Sequence, residues 1–377
     1  MNILLLFPHF ISPGGAATAS IQFAKHLQLR GHEVVIVCAK ASKSIIPEHP
    51  TLEIIELNIP ISSSILYWAL FPFWQIKINK LISKYPGHIL FPQVLPSNWW
   101  AWFFKKTNSK AKIVWYCHEP SAFIHSSKWI NSLPGVTTLI AKAIRPFTRL
   151  IDLWLEKSND LVLCNSEFTL KQYQKVYQRK AHAVAYPPIG KFTGISTDSD
   201  LGDYIFTISR LTKFKNIGTL ISAFNKFSNS RPNYKLLIAG TGEFKKELEH
   251  MAVSLISNDR IEFLGNVSEN LKESLYANAR VTVITAEDEA FGIVPVESMR
   301  LGTPVIAHNS GGPRETVSPG KTGFLFDTES ELVLYLNEIA NLSPERIAKY
   351  SKFCKERAKL FSVSRSVDSL EKTMLSL

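Results

Sequence analysis

The feature that most constrains this chain is an alternation that runs through it twice. Short apolar runs end in loops rich in glycine or charge, and helical patterns follow those loops. Residues 2–7 (NILLLF) are too few for a helix, and a loop with Pro13, Gly14 and Gly15 follows them. A helical pattern then covers 16–29, Gly31 stops it, and 34–37 reads as the next strand. Further strand-like runs lie at 52–57, 88–91, 113–117 and 161–164. Near Tyr186 the texture changes. Residues 187–203 (PPIGKFTGISTDSDLGD) are dense in Pro, Gly, Ser and Asp and read as a linker. Beyond it the alternation restarts, with strands expected at 204–209, 234–239, 261–264, 281–285, 304–307 and 323–326. Helices are expected at 217–227, from Glu243, and near 271–278, 294–301 and 332–339. Strands alternating with helices predict parallel sheets covered by helices on both faces. The fold class is therefore α/β, with two such domains that would make a cleft between them. Ligands in such sheets bind at the carboxyl ends of the strands.

Length agrees: 377 residues, at about 150 per domain, make two or three. The expected units are an N-terminal domain over 1–186, a second domain over 187–355, and a helix over 356–377. The hydrophobic fraction of 45% excludes a disordered or fibrous chain. Charge is unevenly placed. Residues 1–185 carry 20 Lys and Arg against 9 Asp and Glu, and the remainder holds 23 of each. All eight tryptophans also fall in the first half. No nucleic-acid motif accompanies the cations, and they are interleaved with apolar runs, so nucleic acid is not the expected partner. An anionic membrane surface or a phosphate-bearing acceptor is, with the tryptophans reading either as its contacts or as ordinary core.

Two stretches, 57–76 and 85–104, run twenty residues without an ionised side chain. Pro60 and Pro72 interrupt one, and Pro86, Pro92 and Pro96 the other, which argues against a lipid-facing helix. Cys38, Cys117, Cys164 and Cys354 form no CxxC motif, and a reduced cytoplasmic protein, peripheral at the inner face of the membrane, is expected. The first ten residues lack the basic start and cleavage site of a signal peptide and read as a buried strand.

Several constellations sit where strands should end. Ser209, Arg210, Lys213 and Lys215 leave the first strand of the second half and offer cations for a diphosphate. Gly240-Thr241-Gly242-Glu243 is a strand-to-helix turn but not the dinucleotide fingerprint, since Lys245 occupies the third glycine position. The most informative segment is 285–299, TAEDEAFGIVPVESM. An acidic loop ends at Glu289, Phe291-Gly292 turns, and a helix begins. Backbone NH groups of Ala290, Phe291, Gly292 and Ile293 would face an anion, with carboxylates nearby to accept hydroxyl hydrogens. Glu297, within an apolar helix, needs a partner. Asn309–Glu315 is a second glycine turn, and His118 and Glu119 close a strand in the first half.

Taken in order, these residues resemble the family 4 retaining glycosyltransferases of the GT-B fold, which implies two Rossmann-like doubly wound domains facing a central cleft and a last helix, over 356–377, that crosses back to the first domain. The resemblance rests on Gly14-Gly15, His118, Ser209-Arg210 with Lys215, Gly240-x-Gly242-Glu243, and the pair Glu289 and Glu297 around Phe291-Gly292. It covers essentially the whole chain. It implies that Arg210 and Lys215 bind the donor diphosphate and steady the leaving group, and that Glu297 accepts from ribose hydroxyls. It further implies that Glu289 contacts the transferred sugar, that His118 lies beside it, and that Gly14, Gly15, Gly240, Gly242 and Glu243 belong to the binding loops. It implies a nucleotide-sugar donor and no catalytic metal. Ala290 departs from the glycine the family often carries there. Cys117-His118-Glu119-Pro120 and Tyr186-Pro187-Pro188 look most like the lipid-linked mannosyltransferase branch, which points to GDP-mannose and a lipid-linked or polysaccharide acceptor. A nucleotide-sugar epimerase, a soluble-acceptor transferase, and a non-catalytic membrane-binding protein are the alternatives.

Overall fold

The computed structural model describes residues 1–11, 14–42, 52–60, 65–131, 135–190, 202–255 and 260–377. Pro13 and most of the expected linker lie outside these residues. The chain divides into two compact units, one of Met1–Pro188 with Val363–Leu377, the other of Ile189–Ser362.

In the first unit, β1 (Asn2–Phe10) is followed by α1 (Gly15–Leu29), β2 (Glu33–Ala41) and β3 (Glu53–Glu56). Then come α2 (Ile65–Ala69), α3 (Phe71–Ile82), β4 (Ile89–Pro92), α4 (Ser97–Thr107) and β5 (Lys112–Cys117). Three helices follow, α5 (Ala122–His125), α6 (Ser127–Asn131) and the long α7 (Gly135–Glu156). The unit's strands end with β6 (Leu161–Cys164), then α8 (Glu167–Tyr177) and β7 (Ala183–Val184). The seven strands form one sheet in the order β3-β2-β1-β4-β5-β6-β7, and every pairing is parallel. Ile3 to Leu6 are fully buried, as a strand covered on both faces requires. One layer of core packs Leu4, Leu6, Trp100, Trp102 and Trp115 on one face; another packs Ile3, Leu5, Phe23 and Tyr116 on the other.

The second unit repeats the plan. It begins with β8 (Tyr204–Ile208), a 3-10 turn at Lys213–Lys215, α9 (Ile217–Ser228) and β9 (Lys235–Ala239). Next are α10 (Lys245–Leu255), β10 (Ile261–Gly265), α11 (Glu269–Asn278), β11 (Val281–Ile284) and α12 (Ile293–Leu301). It closes with β12 (Val305–His308), α13 (Pro313–Thr316), β13 (Gly323–Phe326), α14 (Glu329–Ala340) and α15 (Pro344–Ala358). The sheet order is β10-β9-β8-β11-β12-β13, again all parallel. Helix starts follow capping chemistry. Ser166 accepts from Thr169 N at α8, and Thr328 and Glu331 form a reciprocal capping box at α14. In both sheets the strand order reverses beside the first strand, at β1/β4 and at β8/β11, which marks the binding crevice of such a sheet.

One expectation needs correction, and one open reading is decided. The helical pattern over 356–377 is not one helix: α15 ends at Ala358, a 3-10 turn covers Lys359–Phe361, and α16 (Val363–Met374) starts afresh. Residue 356 lies inside α15, so the change of unit comes after Ser362. α16 buries Val367, Leu370 and Met374 in the first unit, and Arg30 meets Asp368 and Glu371 at 2.5 Å each. The tryptophans are chiefly core. Trp99, Trp100, Trp102 and Trp115 are buried, and Trp68 and Trp74 pack against the same core. The indole NH groups of Trp99, Trp100 and Trp102 find internal acceptors in Asp152, Tyr67 and Asn159, which satisfies the polar edge that would otherwise favour an interface. Trp154 is the half-exposed exception among them. Among the described residues, no helix is long and apolar enough to cross a membrane.

Candidate functional site

Each unit carries one group of candidate residues at the carboxyl ends of its strands. In the first, Gly14 precedes α1 with an extended backbone, φ −175°, and a Cβ there would meet nothing within 4 Å among the described residues. Neither conformation nor packing requires a glycine at that position, so the bare backbone leaves room above the first turn of α1, where Gly15 is the first helical residue. His118 directly follows β5. It is 7% exposed, and its ring lies edge-on to Tyr116. Its Nε2 meets Gln93 Oε1 at 3.1 Å. An amide oxygen only accepts, so Nε2 carries the proton and Nδ1 is left as an acceptor. Burial pulls the His118 pKa down to about 3, which keeps the imidazole neutral at ordinary pH.

Gln93 is the residue that sequence reasoning missed. It follows β4 at once and is 1% exposed. Its side-chain nitrogen donates to Phe91 O, its oxygen also accepts from Ser20 Oγ of α1 at 3.3 Å, and its carbonyl accepts from Trp115 Nε1. One amide thus ties α1, β4 and β5 together and orients His118. The available signal was a polar residue directly after an apolar strand; its partners, Ser20 and His118, are 73 and 25 positions away.

In the second unit, Arg210 is exposed just beyond β8, and Lys215 ends the 3-10 turn before α9. Asn216 takes a left-handed conformation, φ +50°, to start that helix. The Gly240–Gly242 turn lies against this segment. A Cβ on Gly240 would stand 1.9 Å from Ser209 O, and one on Gly242 2.2 Å from Leu211 O. Leu211 N donates to Thr241 O and Phe244 N to Leu211 O, each at 2.9 Å. These glycines therefore let two backbone loops touch, a requirement internal to the fold. Glu243 is exposed in the same loop.

After β11, Thr285 Oγ1 donates to Lys215 O at 2.7 Å and fixes one loop on the other. Lys215 Nζ and Glu289 Oε1 form an ion pair across the β8/β11 switch point, with both side chains about one-quarter exposed. The Asn309–Gly312 turn supports the acidic loop. Ser310 Oγ accepts from Asp288 N, and Gly312 N donates to Glu289 O at 2.7 Å. A Cβ on Gly311 would lie 2.4 Å from Glu289 O. Gly292, at φ +81°, then turns the chain into α12, which begins at Ile293 behind Ala290 and Phe291. Glu297 does have the partner its setting demands. Lys272 Nζ stands 3.2 Å from one oxygen, and Tyr276 OH donates to the other at 2.9 Å. Burial works to lower the Lys272 pKa, but the Glu297 and Glu269 carboxylates outweigh it and raise it. Burial first, and then the Glu297 charge, hold the Tyr276 hydroxyl well above its ordinary range. The structure thus joins Lys215 to Glu289, which the sequence had treated separately, and binds Glu297 to α11. Chemically, the second group offers cations, two carboxylates and a helix start at one crevice, which suits a ligand with both phosphates and hydroxyls.

Residues 13–189 match the family model described as Glycosyltransferase Family 4, and residues 197–359 match that of Glycosyl transferases group 1. The alpha-1,3/1,6-mannosyltransferase ALG2 of Yarrowia lipolytica is 26% identical over 99% of this chain and 91% of its own length. ALG2 of Dictyostelium discoideum is 29% identical over 63% of this chain and 63% of its own. Among solved structures, Anabaena Alr3699/HepE in complex with UDP and glucose aligns with a TM-score of 0.78 at 21% identity, covering 100% of this chain and 99% of that one, a likeness of fold.

Proposed function

The chain belongs to glycosyltransferase family 4 and has the GT-B fold, and on that premise we propose that it moves mannose from GDP-mannose to a lipid-linked glycan at the cytoplasmic face of a membrane. As a member it is a hexosyltransferase. The observation that carries the donor half of the reading is the Lys215–Glu289 pair at the β8/β11 switch point, above the start of α12. There, Arg210 and Lys215 meet a diphosphate whose negative charge grows as the sugar departs, so cations already in place lower the barrier. Once phosphate draws Lys215 away, Glu289 is released to accept from a sugar hydroxyl. Glu297 accepts from the ribose with the lone pairs that Lys272 and Tyr276 leave open. Neutral His118, held by Gln93, presents Nδ1 to a hydroxyl and does not act as a cation. Relatives named as mannosyltransferases support mannose as the sugar moved.

A panel of GDP-, UDP-, ADP- and dTDP-sugars tests the donor, because the true one raises the melting temperature by mass action. Transfer from GDP-mannose to a polyprenyl-diphosphate glycan tests the reaction, with an undiminished rate in chelator as the expected result. Interconversion of free sugar nucleotides without acceptor would instead establish the epimerase reading. Full transfer by both Lys215→Ala and Glu289→Ala would overturn the site assignment.

A further inference from the structure

The long helix α7 is built inside out. Its two acidic residues, Asp152 and Glu156, are buried, and most of its large apolar side chains face solvent. Asp152 Oδ1 accepts from Trp99 Nε1 at 2.6 Å; its Oδ2 accepts from Tyr177 OH and meets His125 Nε2, both at 2.8 Å. Glu156 accepts from Tyr173 OH at 2.5 Å and pairs with Arg179 at 2.9 Å. Arg145 donates inward to the carbonyls of Ile124 and His125. On the outer side, Leu139, Phe147 and Leu150 are each 68% exposed, Ile140 53%, Trp154 51% and Ile144 43%. Leu139, Phe147, Leu150 and Trp154 recur at helical spacing and form a stripe about 22 Å long. A soluble helix turns this stripe to the core; here the buried carboxylates hold it outward.

Charge selects the occupant. Lys142 and Arg149 are exposed two turns apart along one edge of the stripe, Lys157 is exposed at its end, and Lys106 Nζ lies 4.0 Å above the Trp154 ring. α7 offers no outward acid, so a second copy of this face would bring cation against cation. We propose that the outer face of α7 docks on an anionic phospholipid bilayer, lying in the interface with its apolar stripe in the acyl boundary and its cations at the headgroups. This surface differs from the strand-end groups, and the inference stands on the helix itself, not on the transfer reading.

The test is flotation of the full chain with vesicles of phosphatidylcholine alone and with vesicles in which about a third of the lipid is phosphatidylglycerol. The expected result is partition at least about tenfold stronger onto the anionic vesicles. The double variant Phe147→Glu/Leu150→Glu loses that partition about tenfold or more while keeping the wild-type circular dichroism and melting temperature. Lys142→Glu/Arg149→Glu keeps the residual binding to neutral vesicles and loses the preference for anionic ones. Absence of partition by the wild type, or partition equal in all variants, overturns the proposal. So does light scattering that finds a wild-type dimer made monomeric by Phe147→Glu/Leu150→Glu. Vesicle binding without a shift by any nucleotide sugar would sink the donor reading and leave this one intact.

Discussion

At the scale of residues, the glycines separate into two kinds that look alike in sequence. Gly240 has no space for a Cβ, because Ser209 O would stand 1.9 Å away, and its φ of +112° is one that L residues avoid. Gly240→Ala is expected to lower stability by about 3 kcal/mol, read from urea unfolding. Gly14 has an ordinary extended backbone and open space around it. Gly14→Ala should leave the melting temperature unchanged and weaken transfer, since among the described residues nothing but a bound ligand would meet the added methyl group. For the Lys215–Glu289 pair, Lys215→Ala is expected to reduce kcat by about 10²-fold or more, as loss of a preorganised charge does. His118 gives a stability prediction with a definite sign. Its pKa is near 6.5 when unfolded and about 3 when folded, because the buried ring resists charging. The unfolded chain therefore binds more protons between those values, and stability falls as pH drops below 6.5 until about 3. In His118→Phe the loss of stability from pH 7 to pH 5 should shrink by about 2 kcal/mol. The identity and position of His118 were readable; its neutral state and its tie to Gln93 depend on burial and on residues far along the chain.

Elements were the most legible level. An apolar run of four to six residues between a glycine turn and a helical pattern has few alternatives, and β6 and β13 fall where the pattern put them. The long helix α7 shows the converse. No helix is expected there from the sequence, and periodicity alone would assign such an apolar stripe to the core. Only the buried acceptors of Trp99, Tyr177 and His125 reveal that the polar side is the inner one. Asp152→Ala leaves those donors without their shared carboxylate, and a loss of about 3 kcal/mol or more is expected in urea unfolding. The tryptophans of α4 stay undecided in the sequence for the same reason. Composition cannot distinguish a ring at an interface from one whose NH reaches an acceptor more than thirty positions away in the core, as Trp100 does on Tyr67.

At the scale of the whole molecule, the last helix belongs with the first unit, although it follows the second in sequence. Val367, Leu370 and Met374 complete the core layer that includes Ile3, Leu5 and Phe23. A chain ending at Ser362 would expose that layer. It should melt several degrees lower and show faster amide exchange in β1 and α1, while the exchange of β8 and β11 stays unchanged. The partly exposed contacts of Arg30 with Asp368 and Glu371 add register more than stability. By itself, the sequence determined the α/β class, the restart of the alternation after residue 203, and the loops in which the candidate residues stand. These depend on local periodicity and turn chemistry, which a chain carries wherever it goes. Only the tertiary structure decided that Lys215 meets Glu289, that Gln93 holds His118, and that α7 turns its carboxylates inward. Each of these is a contact between side chains distant in sequence, and burial sets its energy only once the sheet has placed them side by side.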